Sequence, residues 1–223
     1  MKKLIVISAL LCAVLTLSAA TVYVGAEGGV TFNTVLAAKG YRDYSYSPAA
    51  GYKVSVPVVV TFNDNMGLET GLAVYAKNHG YSQTVSASGT RQTNFDLSIS
   101  NGFVILPLLF RFSIPVKQFD IYASVGGFAG CWVYARKAGF VLNGNAKKEN
   151  VDTMTDLSLY NRIDAGVSAK LGCDINFTSF QGYIQGEYDL SLTDMNRSQK
   201  HGGYITHNST FCVTLGILWG INK

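Results

Sequence analysis

In several segments of this sequence the charged residues share one parity: within a segment they fall only at even or only at odd positions. The residues between them are mostly apolar. In the segment 162–175, for example, Asp164 and Lys170 share one parity, whereas Val167 and Leu171 share the other. Acids and bases are mixed in this set, so the chemistry it suits is mutual ion pairing in a space shielded from water. The set comprises Glu27, Lys53, Glu69, Lys77, Arg111, Asp120, Arg162, Asp164, Lys170, Asp174, Glu187 and Asp189.

Two functions are open for such a set. Buried charges must be paired, so the set can form a structural plug of ion pairs and hydrogen bonds. Alternatively, it can line a narrow polar path for water or small ions that opens when some pairs rearrange. The elements that carry these residues decide how much space lies between them.

Strict alternation of side-chain character is typical of β-strands whose two faces meet different media. It occurs in eight segments, and no charged residue falls on any of their apolar faces. The sequence therefore predicts an all-β fold, an eight-stranded antiparallel up-and-down barrel. The segments are 22–32, 52–62, 67–77, 104–113, 119–133, 162–175, 182–190 and 210–221.

Alternation by itself does not say which face is inside. A soluble, lipocalin-like barrel would bury the apolar face, and a transmembrane barrel would turn that face to lipid. The polar faces are rich in Gly and Tyr, which suits the crowded bore of a small barrel better than a solvated sheet face. The connections also alternate, with short ones at 63–65, 115–118 and 176–180 and long ones at 34–49, 78–94, 137–160 and 191–207. Outer-membrane barrels have this alternation.

Aromatic residues collect near both ends of the apolar faces, as in the interfacial girdles of membrane barrels. They are Phe62, Phe110, Phe112, Phe119 and Trp219 near the short connections, and Phe32, Tyr52, Tyr188 and Phe211 near the long ones. These observations favour a transmembrane barrel in contact with outer-membrane lipid.

The first twenty residues are typical of a secretory signal peptide. Lys2 and Lys3 precede an apolar run, and Ala20 ends a small-residue cleavage site. We therefore expect residues 1–20 to be removed and residues 21–223 to form one barrel domain; an uncleaved anchor and lipidation at Cys12 are the alternatives. Cleavage would leave 16 basic and 14 acidic residues, a net charge of +2, which is no nucleic-acid footprint.

Three short motifs resemble a known family. The stretch 105–111, ILPLLFR, is similar to a strand of the small PorT-like outer-membrane barrel domains called porin family proteins. The stretches 183–194 and 25–30 are similar to their seventh and first strands. The resemblance implies an eight-stranded barrel, similar in architecture to barrels of the OmpA, OmpX and OmpW type. It also implies export to a bacterial outer membrane through the barrel-assembly machinery. Ile105 replaces the family's usual acid, and the chain lacks the terminal aromatic residue, although Trp219 is nearby.

Enzymatic signals are sparse. His207 and Ser209 are similar to the H-x-S pair of outer-membrane lipid A deacylases, but no acid follows them to orient the histidine. The three cysteines beyond residue 20 have no metal-site spacing, so we expect no metal and no cofactor. The leading prediction is a non-enzymatic structural or surface-interaction protein whose long loops contact an extracellular ligand. A narrow porin-like channel is the alternative, and a lipid-modifying enzyme is a remote one.

The predicted loops carry a modest basic excess that would favour contact with anionic lipid headgroups or host glycans, and ordinary solvated loops would look the same. The bases are Lys39, Arg42, Arg91, Lys137, Lys147, Lys148, Arg197 and Lys200.

Overall fold

A computed structural model describes residues 20–37, 44–87, 90–142, 148–157, 160–195 and 206–221, and it consists almost entirely of β-strands. The signal-peptide prediction for residues 1–20 concerns a segment that, apart from Ala20, lies outside the described residues. Among the described residues, no helix is long and apolar enough to cross a membrane. The strands are β1 (Thr21–Ala37), β2 (Tyr44–Thr61), β3 (Met66–Ala76), β4 (His79–Ala87), β5 (Thr90–Val116), β6 (Phe119–Leu142), β7 (Lys148–Met154), β8 (Ile163–Asn176), β9 (Gln181–Ser191) and β10 (Thr206–Gly220).

Eight of these strands form a closed antiparallel ring. Its order is β1–β2–β3–β5–β6–β8–β9–β10, and β1 closes on β10 from the pair Tyr23–Gly220 to the pair Ala37–Thr206. Every strand of the ring pairs on both sides, so its backbone groups are satisfied without an exposed edge. The predicted eight-stranded barrel is confirmed.

The apolar faces of the ring point outward. Val54, Leu108, Val125 and Leu215 each expose more than half of their surface. The residues of opposite parity are buried in the bore. There, Tyr75, Phe103 and other inward-facing side chains of the barrel form the main cluster of packed residues. This arrangement is the inverse of a soluble barrel, and it needs an apolar medium around the outside.

Glycine and tyrosine share the inward faces because they fit against each other. The ring of Tyr183 lies over Gly216, where an added Cβ would stand 2.3 Å from the tyrosine Cζ. Tyr122 covers Gly172 in the same way, at 2.4 Å. The glycines therefore make room for large side chains that cross a bore of only eight strands.

One end of the barrel, the short-turn end, has tight connections as predicted. The Asn63 carboxamide oxygen accepts hydrogen bonds from the backbone N–H groups of Asn65 and Met66, at 2.9 and 2.8 Å. Between β5 and β6, Lys117 takes the left-handed conformation (φ 57°) that so short a reversal requires. These local features set the registers of β2–β3 and β5–β6.

The opposite end, the hairpin end, differs from the prediction of four long loops. Much of the predicted loop 78–94 is strand, because β4 continues the line of β3 and pairs with β2 and β5. Within the predicted loop 137–160, β6 runs on to Leu142 and pairs with β7. A bulge at Gly102–Phe103, opposite Val133, shifts the parity at the start of this extension. The eight predicted segments cover only the apolar belt. In the β5 extension the pattern is inverted, because Ile99 is buried whereas Asp96 and Ser98 are exposed.

Candidate functional site

The bore holds most of the charged residues that alternation singled out. Ten of the twelve are buried inside the barrel: Glu27, Lys53, Glu69, Lys77, Arg111, Asp164, Lys170, Asp174, Glu187 and Asp189. They come from six strands of the ring or their immediate ends (β8 and β9 supply five of them), so closure of the sheet is what brings them together. Six acids and four bases give this interior a formal excess of two negative charges.

The other two predicted residues lie elsewhere. Arg162 is exposed just before β8, and its Nε donates to the carbonyl oxygen of Trp132 at 3.1 Å. It lies one residue beyond the end of the strand, so the prediction of a bore position from its parity is wrong. Asp120 is half-buried at the short-turn end, where it accepts a hydrogen bond from Asn176 Nδ2 at 2.9 Å.

The centre of the bore is a continuous network of acids and lysines. Lys170 Nζ lies 2.6 Å from Glu69 Oε1 and 3.6 Å from Glu187 Oε2. Lys53 Nζ lies 2.7 Å from Glu27 Oε1 and also pairs with Glu187. Glu187 therefore bridges the two lysines, and the network crosses the bore from β2 to β8.

Uncharged side chains complete this network. Tyr183 Oη and Gln185 Nε2 donate to Glu27 Oε2 at 2.8 and 2.7 Å. Tyr75 Oη donates to Glu187 Oε1 at 2.9 Å. Since the carboxylates accept these bonds as well as the lysine ones, their lone pairs are largely satisfied. These partners were not predicted from the sequence, although the tyrosines on the polar faces were a visible signal.

An arginine layer separates the network from the short-turn end. Arg111 donates to the carboxylate of Asp174, and its guanidinium lies over the ring of Tyr122, 3.5 Å from the centroid. Beyond this layer, a vestibule of about 470 Å³ opens to solvent, lined in part by Asp120 and Phe62. Arg111 thus closes the bore from that side.

A lysine layer closes the bore on the other side. Lys77 Nζ donates to Asp164 Oδ2 at 2.8 Å. Its ammonium also lies 4.9 to 5.5 Å from the ring centroids of Phe128, Phe103 and Tyr75. The ammonium thus has both an ion-pair partner and cation–π contacts inside the bore.

Asp189 is the least satisfied acid of the interior. It is buried on β9 beside Ser168 of β8 and Thr210 of β10. Its Oδ1 has no hydrogen-bond partner in the described part of the chain. It accounts for part of the negative excess.

A cavity of about 180 Å³, the cup, lies above the lysine layer at the hairpin end. The cup is lined by apolar and aromatic side chains and by four polar ones. The first group includes Val35, Tyr46, Tyr81, Ile99, Trp132 and Tyr160. The polar residues are His79, Lys137, Thr155 and Thr206.

His79 is a neutral imidazole in the cup. His79 lies beyond the apolar belt, toward the hairpin end. It pairs with Pro48, which precedes the outward-facing Tyr52 on β2 by four residues. Burial without an acidic partner lowers the pKa of His79 to about 4. The Asn101 Nδ2 group, oriented by its bond to the carbonyl of Lys77, donates to His79 Nδ1 at 3.4 Å, so the ring proton resides on Nε2.

The aromatic residues predicted as girdles are mostly on the outer surface. Phe32, Phe211 and Tyr188 lie side by side on β1, β10 and β9. Phe62 is an exception, because it lies in the turn after β2 and lines the vestibule, so its predicted girdle position is wrong. The outward ones are Phe32, Tyr52, Phe110, Phe112, Phe119, Tyr188, Phe211 and Trp219.

The structure separates the predicted His207–Ser209 pair. His207 Nδ1 contacts the carbonyl oxygen of Thr193 at 3.1 Å, whereas the Ser209 hydroxyl contacts Tyr188 Oη at 2.8 Å. Each side chain is thus engaged with a different partner, so the histidine is not placed to activate the serine.

Metal ligands are not grouped in the described residues: no cluster of three or more His, Cys, Asp or Glu residues there could hold an ion. Cys131, Cys173 and Cys212 are free thiols. Among the loop bases, Lys39, Arg42, Lys147, Arg197 and Lys200 lie outside the described residues, as does the side chain of Arg91.

Three solved structures of bacterial proteins are similar to this chain at low sequence identity, and the likeness to the first shows the same fold. The outer membrane protein OprG from Pseudomonas aeruginosa is 12% identical, with a TM-score of 0.51 over 91% of this chain and 97% of that one. Ail from Yersinia pestis, solved with the heparin analogue sucrose octasulfate, is 13% identical, with a TM-score of 0.42 over 89% and 99% of the chains. Neisserial surface protein A is 10% identical, with a TM-score of 0.43 over 90% and 97%.

Among curated protein sequences, none matches this chain significantly. One family model does match, the outer membrane protein beta-barrel domain, over residues 18–197. The matched segment includes the whole ion-pair network and all strands of the ring except β10. With most of its length matched, the chain belongs to the outer membrane protein beta-barrel domain family.

Proposed function

We propose that this protein is a non-conducting, non-enzymatic barrel that presents its hairpin end at the cell surface for contact with an extracellular partner. The single observation that supports this function is the closure of the bore by successive charged layers. Arg111–Asp174, the lysine–glutamate network and Lys77–Asp164 occupy three levels between the vestibule and the cup. A solute would have to break ion pairs at every level, and each break would leave a buried charge uncompensated.

The extended strands at the hairpin end supply the surface in this proposal. The hairpin of β6 and β7 projects beyond the ring, and the side chains of β7 are largely exposed. Arg136 and Asp152 pair across it at 2.5 Å, and Lys148 lies over the ring of Phe140. The outward apolar belt would contact outer-membrane lipid, and the exported chain would use the barrel-assembly machinery to insert.

Conductance in planar lipid bilayers tests the closed bore. We expect the wild-type barrel, verified as folded by its faster migration when unboiled on SDS gels, to give no stepwise currents. A Glu27→Ala/Lys53→Ala variant removes one acid and one base together, and we expect it to leak. Ohmic steps from the wild type would instead establish a narrow channel, and the negative excess of the bore would then predict cation selectivity.

Labelling in intact cells tests the orientation. In a background with Cys131, Cys173 and Cys212 changed to alanine, Glu149→Cys on the β6–β7 hairpin should react with a membrane-impermeant maleimide. Asp64→Cys at the short-turn end should react only after the outer membrane is permeabilised. The opposite result would reverse the orientation. Replacing residues 138–152 by Asn-Gly should then abolish adhesion to a partner surface while leaving the ring folded.

A further inference from the structure

We infer that the cup binds a small aromatic carboxylate at the cell surface. The inference goes beyond the proposed surface role, because it names a ligand class for a cavity that the ion-pair network does not use. Ligand binding requires the cup but not a closed bore, so the binding experiment and the conductance experiment can fail independently of each other.

The size of the cup fits one substituted ring. Its volume is about 180 Å³, whereas an engineered apolar cavity of ~150 Å³ in another protein binds benzene. The cavity is therefore large enough to hold a benzene ring that carries one small group.

The walls of the cup suit an aromatic ring. Tyr46 and Tyr81 stack on one wall, with ring centroids 5.0 Å apart. Trp132 and Tyr160 form another wall, edge to face at 5.4 Å. Rings already packed in offset and edge-to-face pairs can accept one more ring in the same geometries, each worth more than its buried area alone.

Three polar groups of the cup can donate hydrogen bonds, which suits an anionic acceptor. His79 presents an N–H at Nε2, because Nδ1 already accepts from Asn101. The Thr155 hydroxyl is buried without a hydrogen-bond partner in the described part of the chain. Lys137, half-buried, is the one charged residue of the described lining. A carboxylate satisfies an ammonium, an imidazole N–H and a hydroxyl together.

Buried side chains separate the cup from the bore beneath it, so the cup is a binding site and not the mouth of a passage. Trp132 stacks on Phe103, with ring centroids 5.7 Å apart and planes 10° apart. Phe103 in turn contacts the ammonium of Lys77. Trp132, Phe103 and Lys77 are almost completely buried, so a ligand enters and leaves from the hairpin end.

Calorimetry in detergent micelles tests the inference with three probes of similar size. Benzoate has both the ring and the charge, cyclohexanecarboxylate lacks the aromatic ring, and benzyl alcohol lacks the charge. After subtraction of heats from empty micelles, we expect one benzoate per barrel. We expect the other two probes to bind at least about fivefold more weakly.

Two lysine variants locate the site. Lys137→Met should weaken benzoate binding at least about fivefold and leave benzyl alcohol unchanged, because only the charged acceptor loses its partner. Lys148→Met removes the same charge from the outside of the β6–β7 hairpin and should leave both unchanged. Trp219→Phe leaves Trp132 as the single tryptophan, whose fluorescence should then change on benzoate binding.

Several outcomes would overturn the inference. Equal benzoate affinity in wild type and Lys137→Met would place the probe elsewhere, and equal affinity for cyclohexanecarboxylate would remove the aromatic requirement. Failure of benzoate to bind at millimolar concentration, or binding of a monosaccharide such as glucose in its place, would reject the ligand class.

Discussion

Lys77, at the exit of β3, and Asp164 of β8 meet inside the barrel, with Nζ 2.8 Å from Oδ2 although 87 residues separate them in the chain. Both side chains are almost fully withdrawn from solvent, at 0% and 4% exposure. Three aromatic rings surround the Lys77 ammonium. The Lys77–Asp164 ion pair therefore closes the bore toward the hairpin end and lies beneath the cup.

Lys77→Met should destabilise the barrel by roughly 3–5 kcal/mol, because it leaves the Asp164 carboxylate buried without its base. The free energy of unfolding in urea, followed by circular dichroism in detergent, measures this. Lys77→Met/Asp164→Leu should recover most of the loss, since an apolar pair of similar volume replaces the ion pair. If the single variant is as stable as the wild type, water reaches Asp164 and the layer is not closed.

Val125→Arg should impair membrane insertion, because Val125 faces outward on β6, within the apolar belt, with 62% of its surface exposed. An arginine facing lipid at mid-depth costs roughly 2–4 kcal/mol. Met154→Arg is the matched control: Met154 is 64% exposed but lies on β7, beyond the apolar belt. Folding yield into lipid vesicles should fall for the first variant alone, and equal yields would contradict a lipid-facing position for Val125.

Gly216→Ala should destabilise the barrel by about 1–3 kcal/mol through overpacking against the Tyr183 ring. Gly28→Ala is the control, since an added Cβ there has only the carbonyl oxygen of Lys53 within 4 Å, at 4.0 Å. In a Tyr183→Ala background the cost of Gly216→Ala should disappear, which thermal unfolding can measure. A cost that persists in that background would assign the effect to the backbone instead of the ring.

Acidification should weaken the hairpin end through His79. Its pKa is about 4 in the folded barrel, against the ordinary histidine value of 6.5 in the unfolded chain. Between these two values the unfolded chain binds a proton that the folded barrel does not, so stability falls as pH decreases through this window, by at most about 1.4 kcal/mol per pH unit. The free energy of unfolding should drop more for wild type than for His79→Gln between about pH 7.5 and pH 5, and parallel curves would refute a buried neutral imidazole.

The sequence alone determined the ring. Strand period is a local property, so Val54 and Val56 identify one face and Lys53 and Ser55 the other without any knowledge of the partner strands. The medium needed further local signals, because the same alternation fits a soluble barrel: Gly and Tyr on the polar faces and the alternating connection lengths favoured an apolar exterior. Short turns such as Asn63–Asn65 carry their own hydrogen-bonding groups and are equally local.

Only the tertiary structure decided which charges meet and where the strands end. The pairing of Lys77 with Asp164, or of Lys53 with Glu187, depends on strand order and shear in the closed ring, which no local pattern encodes. The prediction placed Arg162 in the bore because parity alone does not show where a strand begins.

The cup was not predicted from the sequence for a related reason. His79, Lys137 and Tyr160 converge through the β4 extension, β6 beyond its bulge, and the segment before β8. Those segments lie outside the eight alternating segments, and the pairing of β4 with β2 and β5 and of β6 with β7 decides where they lie.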